Sequence, residues 1–187
     1  MTFRVVLVEP LYAGNVGAVA RVSMNFWVDE LALVGGPQIN NEMTKYAMHA
    51  RSLLQKAQHY QTLKDAVVDC TLAIGFSDVI PGRRSYIRRP ILAPTELHEV
   101  MQNTSPEDTV ALVFGREDKG LQKEELEMCD VVCTIPTSRE SPSLNLSHSV
   151  AVILYELSNR AYGENRDKNG WKDNSVTPLH ETLQERE

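Results

Sequence analysis

Apolar residues follow two rhythms along this chain. Short, nearly unbroken apolar runs predict β-strands at 4–8, 31–35, 71–75, 109–114 and 131–135. Between them, apolar positions recur every three to four residues and predict helices at 15–26, 42–57, 62–68, 94–102, 122–128 and 144–161. In the last of these, Leu146, Val150, Ile153, Leu154, Leu157 and Ala161 fall on one stripe. The run at 109–114 is apolar almost throughout, as expected of a strand covered on both faces. Strands alternating with helices predict an α/β fold with a parallel sheet flanked by helices. The pattern then stops. Residues 163–187 carry six acids against four Lys/Arg with no sustained apolar stripe. The expected organisation is therefore one domain over 1–161 and a polar, mobile tail over 162–187, with room for a short helix at 178–186.

Composition narrows the class. The chain has 187 residues, 42% hydrophobic and 24% charged, enough for one domain with a sizeable core. No apolar run reaches the ~18 to 20 residues of a membrane span. The start turns acidic at Glu9, too soon for a signal peptide, and reads as a first strand. Cys70, Cys129 and Cys133 are odd in number and sit among apolar residues, which points to reduced core thiols and a cytoplasmic protein. No second Cys or His pair has metal-ligand spacing, so no metal is expected. The net charge of −6 does not advertise nucleic acid. The segment 81–90 departs from it, with Arg83, Arg84, Arg88 and Arg89 and no acid. Four clustered arginines without a compensating carboxylate favour a phosphate-facing role.

Candidate chemistry gathers where predicted strands end. After 131–135 comes Ile135-Pro136-Thr137-Ser138-Arg139-Glu140-Ser141-Pro142-Ser143-Leu144-Asn145-Leu146-Ser147. A polar loop between a strand end and a helix N-terminus is a ligand site by position, and equally a loop with Ser/Asn capping. After the first strand comes Glu9-Pro10-Leu11-Tyr12-Ala13-Gly14-Asn15-Val16-Gly17-Ala18-Val19-Ala20-Arg21. After 109–114 comes Gly115-Arg116-Glu117-Asp118-Lys119-Gly120-Leu121. Neither G-x-G-x-x-G nor a P-loop occurs. In this order and spacing, N-x-G-x-x-x-R, F-G-x-E-x-x-G-L and I-P-x(6)-S-L-N-L-S resemble the three motifs of the SPOUT RNA methyltransferases. The nearer match is the TrmH branch and, within it, the TrmJ-type tRNA ribose 2'-O-methyltransferases. The resemblance covers roughly residues 3 to 160.

That resemblance implies a deep C-terminal trefoil knot, a homodimer, S-adenosyl-L-methionine as cofactor and tRNA as substrate, with rRNA methylation or non-catalytic RNA binding as alternatives. It implies cofactor walls at Gly75, Phe76 and Ser77, at Gly115 and Glu117, and at Ile135, Ser143, Leu144 and Asn145. Gly75 and Gly115 end apolar strands, where a missing side chain lets a ligand approach the backbone. The resemblance makes Asn15, Arg21, Glu117, Ser143 and Asn145 active-site residues, and Arg21 the activator of the ribose hydroxyl. An arginine gives up its proton only above a pH of about 12, so a literal base is demanding. The alternative is a cation that grips the neighbouring phosphate and stabilises a developing alkoxide. Asn15 could also cap its helix, and Glu117 could be a first-turn carboxylate.

Overall fold

In the computed structural model, residues 1–28, 30–78, 88–163, 166–167 and 170–171 are described. Among them seven strands pair side by side, all in parallel: β1 (Thr2–Val8), β2 (Glu30–Val34), β3 (Gln58–Tyr60), β4 (Leu72–Phe76), β5 (Ile91–Leu92), β6 (Thr109–Phe114) and β7 (Val131–Cys133). Their order is β3-β2-β1-β6-β4-β7-β5. The helices are α1 (Ala13–Asn25), α2 (Asn41–Ala47), α3 (Arg51–Gln55), α4 (Leu63–Val67), α5 (Leu97–Met101), α6 (Lys123–Met128) and α7 (Leu146–Gly163). The expected parallel α/β architecture is present.

Period-two alternation divides the strand side chains between two cores. Phe3, Val5, Leu7, Leu72, Ile74, Phe76, Val110, Leu112 and Phe114 face one side. There they pack against α1, α2, α3, α5 and α7 through residues such as Val16, Met43, Leu54, Leu97 and Leu154. Val6, Val8, Ala73, Ala111 and Val113 face the other side, covered by α4 and α6 through Leu63, Ala66 and Leu126. Coverage of both faces is why the central strands carry nearly continuous apolar runs, interrupted in β1 by Arg4.

Several local features were not foreseen. The expected helix 42–57 is two helices joined by a 3-10 turn, because Met48 takes φ +52, a conformation a helix interior does not use. The expected helix 94–102 opens as a 3-10 turn at Pro94–Glu96. The first helix begins at Ala13, two residues before the expected start. Close packing of α1 on α2 depends on Gly17. A Cβ there would lie 2.2 Å from the Met43 carbonyl oxygen and 2.9 Å from Tyr46 Cβ. Past α7, β8 (Arg166–Asp167) pairs antiparallel with β9 (Gly170–Trp171). Residues 172–187, with the helix expected at 178–186, lie outside the described residues. No helix among the described residues is long and apolar enough to cross a membrane.

The end of the sheet where β1, β2 and β4 begin is tied by a buried arginine. Arg4 Nε donates to Glu30 at 2.7 Å, while Nη1 and Nη2 donate to Asp69 at 2.7 and 3.0 Å. Nη1 also donates to the Ala66 carbonyl at 2.9 Å, so Arg4 links β1, the start of β2 and the end of α4. The hydrogen bonds to Asp69 raise the Arg4 pKa above its ordinary value, and the same contact lowers that of Asp69.

Candidate active site

The opposite end of the sheet carries the three polar loops. Parallel strands bring their C-terminal ends to one edge, and β1, β4, β6 and β7 release their loops there together. A cavity of about 430 Å³ opens between the loops that follow β4, β6 and β7. Phe76 and Phe114 form part of its wall, stacked at 4.4 Å between ring centres. Ile135, Leu144 and Leu146 add apolar surface. Ser77, Asp78, Thr137 and Ser143 add polar groups, and Arg116, Glu117, Asp118 and Lys119 add charge of both signs.

At the rim, side chains from three distant segments form one hydrogen-bonded run. Asn15 Nδ2 donates to Glu117 Oε1 at 2.9 Å, and Asn145 Nδ2 donates to Asn15 Oδ1 at 3.0 Å. Asn145 Oδ1 accepts from the Ser147 backbone amide at 2.9 Å and from its hydroxyl at 2.8 Å, which caps α7. Glu117 also accepts from the backbone amides of Leu11 at 2.8 Å and Tyr12 at 3.4 Å, just before α1. A carboxylate there complements the positive end of that helix. Asn15 therefore lies inside the first turn of α1, and its side chain faces Glu117 and Asn145 rather than capping its own helix. Glu117 sits in the loop before α6, and its carboxylate serves the start of α1 instead.

Beneath this run lies a second buried arginine. Arg116 Nε donates to Glu9 at 2.8 Å, and Nη1 and Nη2 grip Glu125 with two bonds of 3.0 Å. Glu125 is itself fixed by the Gln122 amide at 2.7 Å, at the start of α6. Glu9 takes φ +44, an uncommon conformation for a residue with a Cβ. The bonds to Glu9 and Glu125 raise the Arg116 pKa, and the Arg116 guanidinium lowers that of Glu9. Glu9 and Arg116 lie inside the loops singled out by sequence, but nothing in their spacing signals a pair 107 residues apart.

Of the expected site residues, Phe76, Ser77, Gly115, Glu117, Ile135, Ser143 and Leu144 line the cavity. Asn15 and Asn145 stand at its rim through Glu117. Gly75 is not among the residues that line it. A Cβ at Gly75 would lie 2.9 Å from Cys129 Sγ, so the glycine serves packing on the far face of the sheet. Gly115 is likewise needed by its own loop, since a Cβ would lie 2.2 Å from the Gly120 carbonyl carbon. Arg21 is exposed on α1 and is not brought to the cavity within one chain. Six residues beyond Asn15, at about 100° per residue, it points well away from the Asn15 face. Arg88 is exposed, and Arg89 donates to the Glu127 carbonyl at 2.6 Å near the end of α6. Arg83 and Arg84 lie outside the described residues. Burial pushes the Cys129 and Cys133 thiols up to about 12 and Cys70 to about 11, so all three are thiols at neutral pH.

With this geometry in view, comparison with known proteins gives a consistent result. A protein of Methanocaldococcus jannaschii described as tRNA (cytidine-2'-O-)-methyltransferase TrmJ is 46% identical over 154 residues, covering 82% of this chain and 66% of the relative. The Sulfolobus acidocaldarius protein of the same description is 35% identical over 158 residues, covering 84% of this chain and 65% of the relative. The chain thus spans just under two thirds of the length of these relatives. A solved structure of a probable methylase family protein from Haemophilus influenzae superposes with a TM-score of 0.79 at 30% identity, covering 94% of this chain and 72% of that one. Residues 2–155, which contain all three loops and the cavity, match the SpoU rRNA Methylase family, and the chain belongs to that family.

Proposed function

We propose that this chain methylates the 2'-hydroxyl of a ribose in tRNA, in the anticodon-loop region, with S-adenosyl-L-methionine as methyl donor. The observation that carries this reading is the run Glu117–Asn15–Asn145, which joins three loops at the rim of a cofactor-sized cavity. The cavity residues fit the cofactor. A volume of about 430 Å³ lies within the ~300–1,000 Å³ of small-molecule sites. Phe76, Ile135 and Leu144 suit an adenine face, Ser77 and Ser143 a ribose, and the charged side chains at 117–119 a zwitterionic amino acid moiety. The bound cofactor supplies an electrophilic methyl group on a sulfonium.

The protein's part is to align the hydroxyl with the methyl group and to stabilise the alkoxide that develops as the hydroxyl proton passes to solvent water. Asn15, fixed by Glu117 and Asn145, orients the target hydroxyl at the rim. Ser143, exposed on the cavity lip, holds an adjacent ribose or phosphate oxygen. Arg21 acts on the second copy of a homodimer, as a cation against the phosphate beside the target ribose, where it stabilises the developing alkoxide. Its exposure on a helix packed against α7 supports this, as do the exposed apolar Leu144, Val152 and Tyr155 on and beside that helix. Arg88 extends the phosphate contact. A deep trefoil knot belongs to the same reading. The position of β7 between β4 and β5, out of chain order, supports it. We place the protein in the cytoplasm on its three buried or half-buried thiols.

The names of the two relatives support tRNA as substrate, and the family's name supports rRNA as the second reading. Incubation with radiolabelled cofactor and, in parallel, bulk tRNA and rRNA, followed by nuclease mapping, decides between them. A 2'-O-methylated anticodon-loop nucleotide is expected. Label in rRNA alone favours the second reading. No transfer to either, with cofactor and RNA both bound, favours a non-catalytic RNA-binding protein.

A further inference from the structure

We propose that Arg116 is a positioning residue that acts through Glu9: it pins the strap 9–12 so that the Leu11 and Tyr12 amides seat the Glu117 carboxylate. The inference rests on the proposed function, because it assigns Arg116 a task at that site. The chain of contacts is continuous. α6 fixes Glu125 through the Gln122 amide, Glu125 fixes the two terminal nitrogens of Arg116, and Nε of Arg116 fixes Glu9. The Glu9 backbone is anchored on its other side, where its amide donates to the Val34 carbonyl at 2.7 Å. Pro10 then stiffens the strap, with Gly36 packed closely against its ring. Two residues later the amides of Leu11 and Tyr12 meet Glu117. Arg116 and Glu117 are neighbours in sequence, so one short loop grips the strap twice, once from a guanidinium and once from a carboxylate.

The guanidinium fork is what the task needs. Three nitrogens span two carboxylates in different directions, which a lysine ammonium does not reproduce. Glu9 at φ +44 is a conformation that a carboxylate side chain does not favour on its own. A glycine would adopt it freely. The Glu9 side chain is more than half exposed and stands outside both hydrophobic cores. Its presence at a strained position is therefore explained by what it holds rather than by what it buries.

Glu9→Gly separates positioning from stability. The substitution relieves the backbone and removes the carboxylate, so the melting temperature should stay level or rise. Site-resolved amide exchange at Leu11 and Tyr12 should become about tenfold faster as the strap loosens. The kcat for methyl transfer should fall about 10- to 100-fold, with cofactor affinity nearly unchanged. Arg116→Lys should move exchange and kcat the same way. A merely structural role predicts the opposite split, with lower melting temperature and unchanged exchange. Unchanged exchange in both variants overturns the proposal, and so does faster exchange with an unaltered kcat. If the unsubstituted chain transfers no methyl group, the proposed function falls, and the exchange measurement alone decides whether Arg116 and Glu9 fix the strap.

Discussion

Arg4 and Arg116 are the two buried arginines among the described residues, and each holds two carboxylates. Arg4 lies where the strands begin and Arg116 where they end. Arg4 joins elements already fixed by the sheet, since Arg4 and Glu30 are paired in register between β1 and β2. Arg116 joins the loops that leave β1 and β6, two residues past their last paired positions Leu7 and Phe114, and ties both to α6. The same ion-pair chemistry thus reinforces strands at one end of the sheet and fixes the loops that follow them at the other. A buried ion pair is weak evidence of function by itself, and the kind of element it joins carries the information.

The largest expected effect lies at the loop end. Glu117→Ala should reduce methyl transfer about 1,000-fold, roughly 4 kcal/mol of barrier, because it removes the acceptor shared by Asn15, Leu11 and Tyr12. The melting temperature should barely move, since the strap amides freed by the loss are open to water. Single-turnover kinetics beside a thermal melt checks both halves, and a variant that unfolds but stays active per folded molecule would reverse the comparison. Next comes Arg4→Ala. It should remove about 3 kcal/mol of stability, or roughly 6–12 °C in Tm, at the low end for a broken buried pair. Its partners Glu30 and Asp69 are 33% and 60% exposed, so they rehydrate and limit the loss. Turnover per folded molecule should stay the same, as read by active-site titration.

The smallest effect is set by pH. Asp69 and Glu9 both have lowered pKa values, caused first by hydrogen bonds from Arg4 and Arg116. A lowered carboxylate pKa stabilises the fold fully above the unfolded value, and that stability disappears as pH falls through the folded value. For Asp69 the window begins at the ordinary 3.8 and extends below it. Solvent screening keeps the effect modest. Denaturation midpoints measured from pH 6 downward should fall less steeply in Asp69→Asn than in the unsubstituted chain. Superimposable curves would mean that the Arg4 cluster is held by hydrogen-bond geometry rather than by charge.

Much of this architecture could be read from apolar periodicity. The strands expected at 4–8, 31–35, 71–75, 109–114 and 131–135 match β1, β2, β4, β6 and β7 to within a few residues at either end, because burial on both faces forces apolar runs. β3 escaped notice because Gln58, His59 and Tyr60 form an exposed edge with no apolar pattern. β5 escaped because it is two residues long and follows Pro90. The loops that line the cavity were legible as motifs, Asn15, Glu117 and Asn145 included. The link between Glu9 and Arg116 was not, since a contact across 107 residues leaves no local spacing to read. The packing that also requires Gly75, Gly17 and Gly115 was not legible in the sequence. All three admit neighbouring atoms of the protein itself.

The strand order also sets a timetable. Among the described residues β5 pairs only with β7, and β7 lies between β4 and β5. A ribosome that has released residue 92 must add the chain up to residue 133 before β5 has any partner. At about 5–20 residues per second that interval lasts roughly 2 to 8 s. Throughout it the outer edge of β4 offers unpaired amides and carbonyls, the template on which misassociation begins. The last sheet strand to be synthesised before α7 therefore inserts between β4 and the edge strand β5 rather than extending the margin, and the nascent protein carries an open seam until β7 arrives.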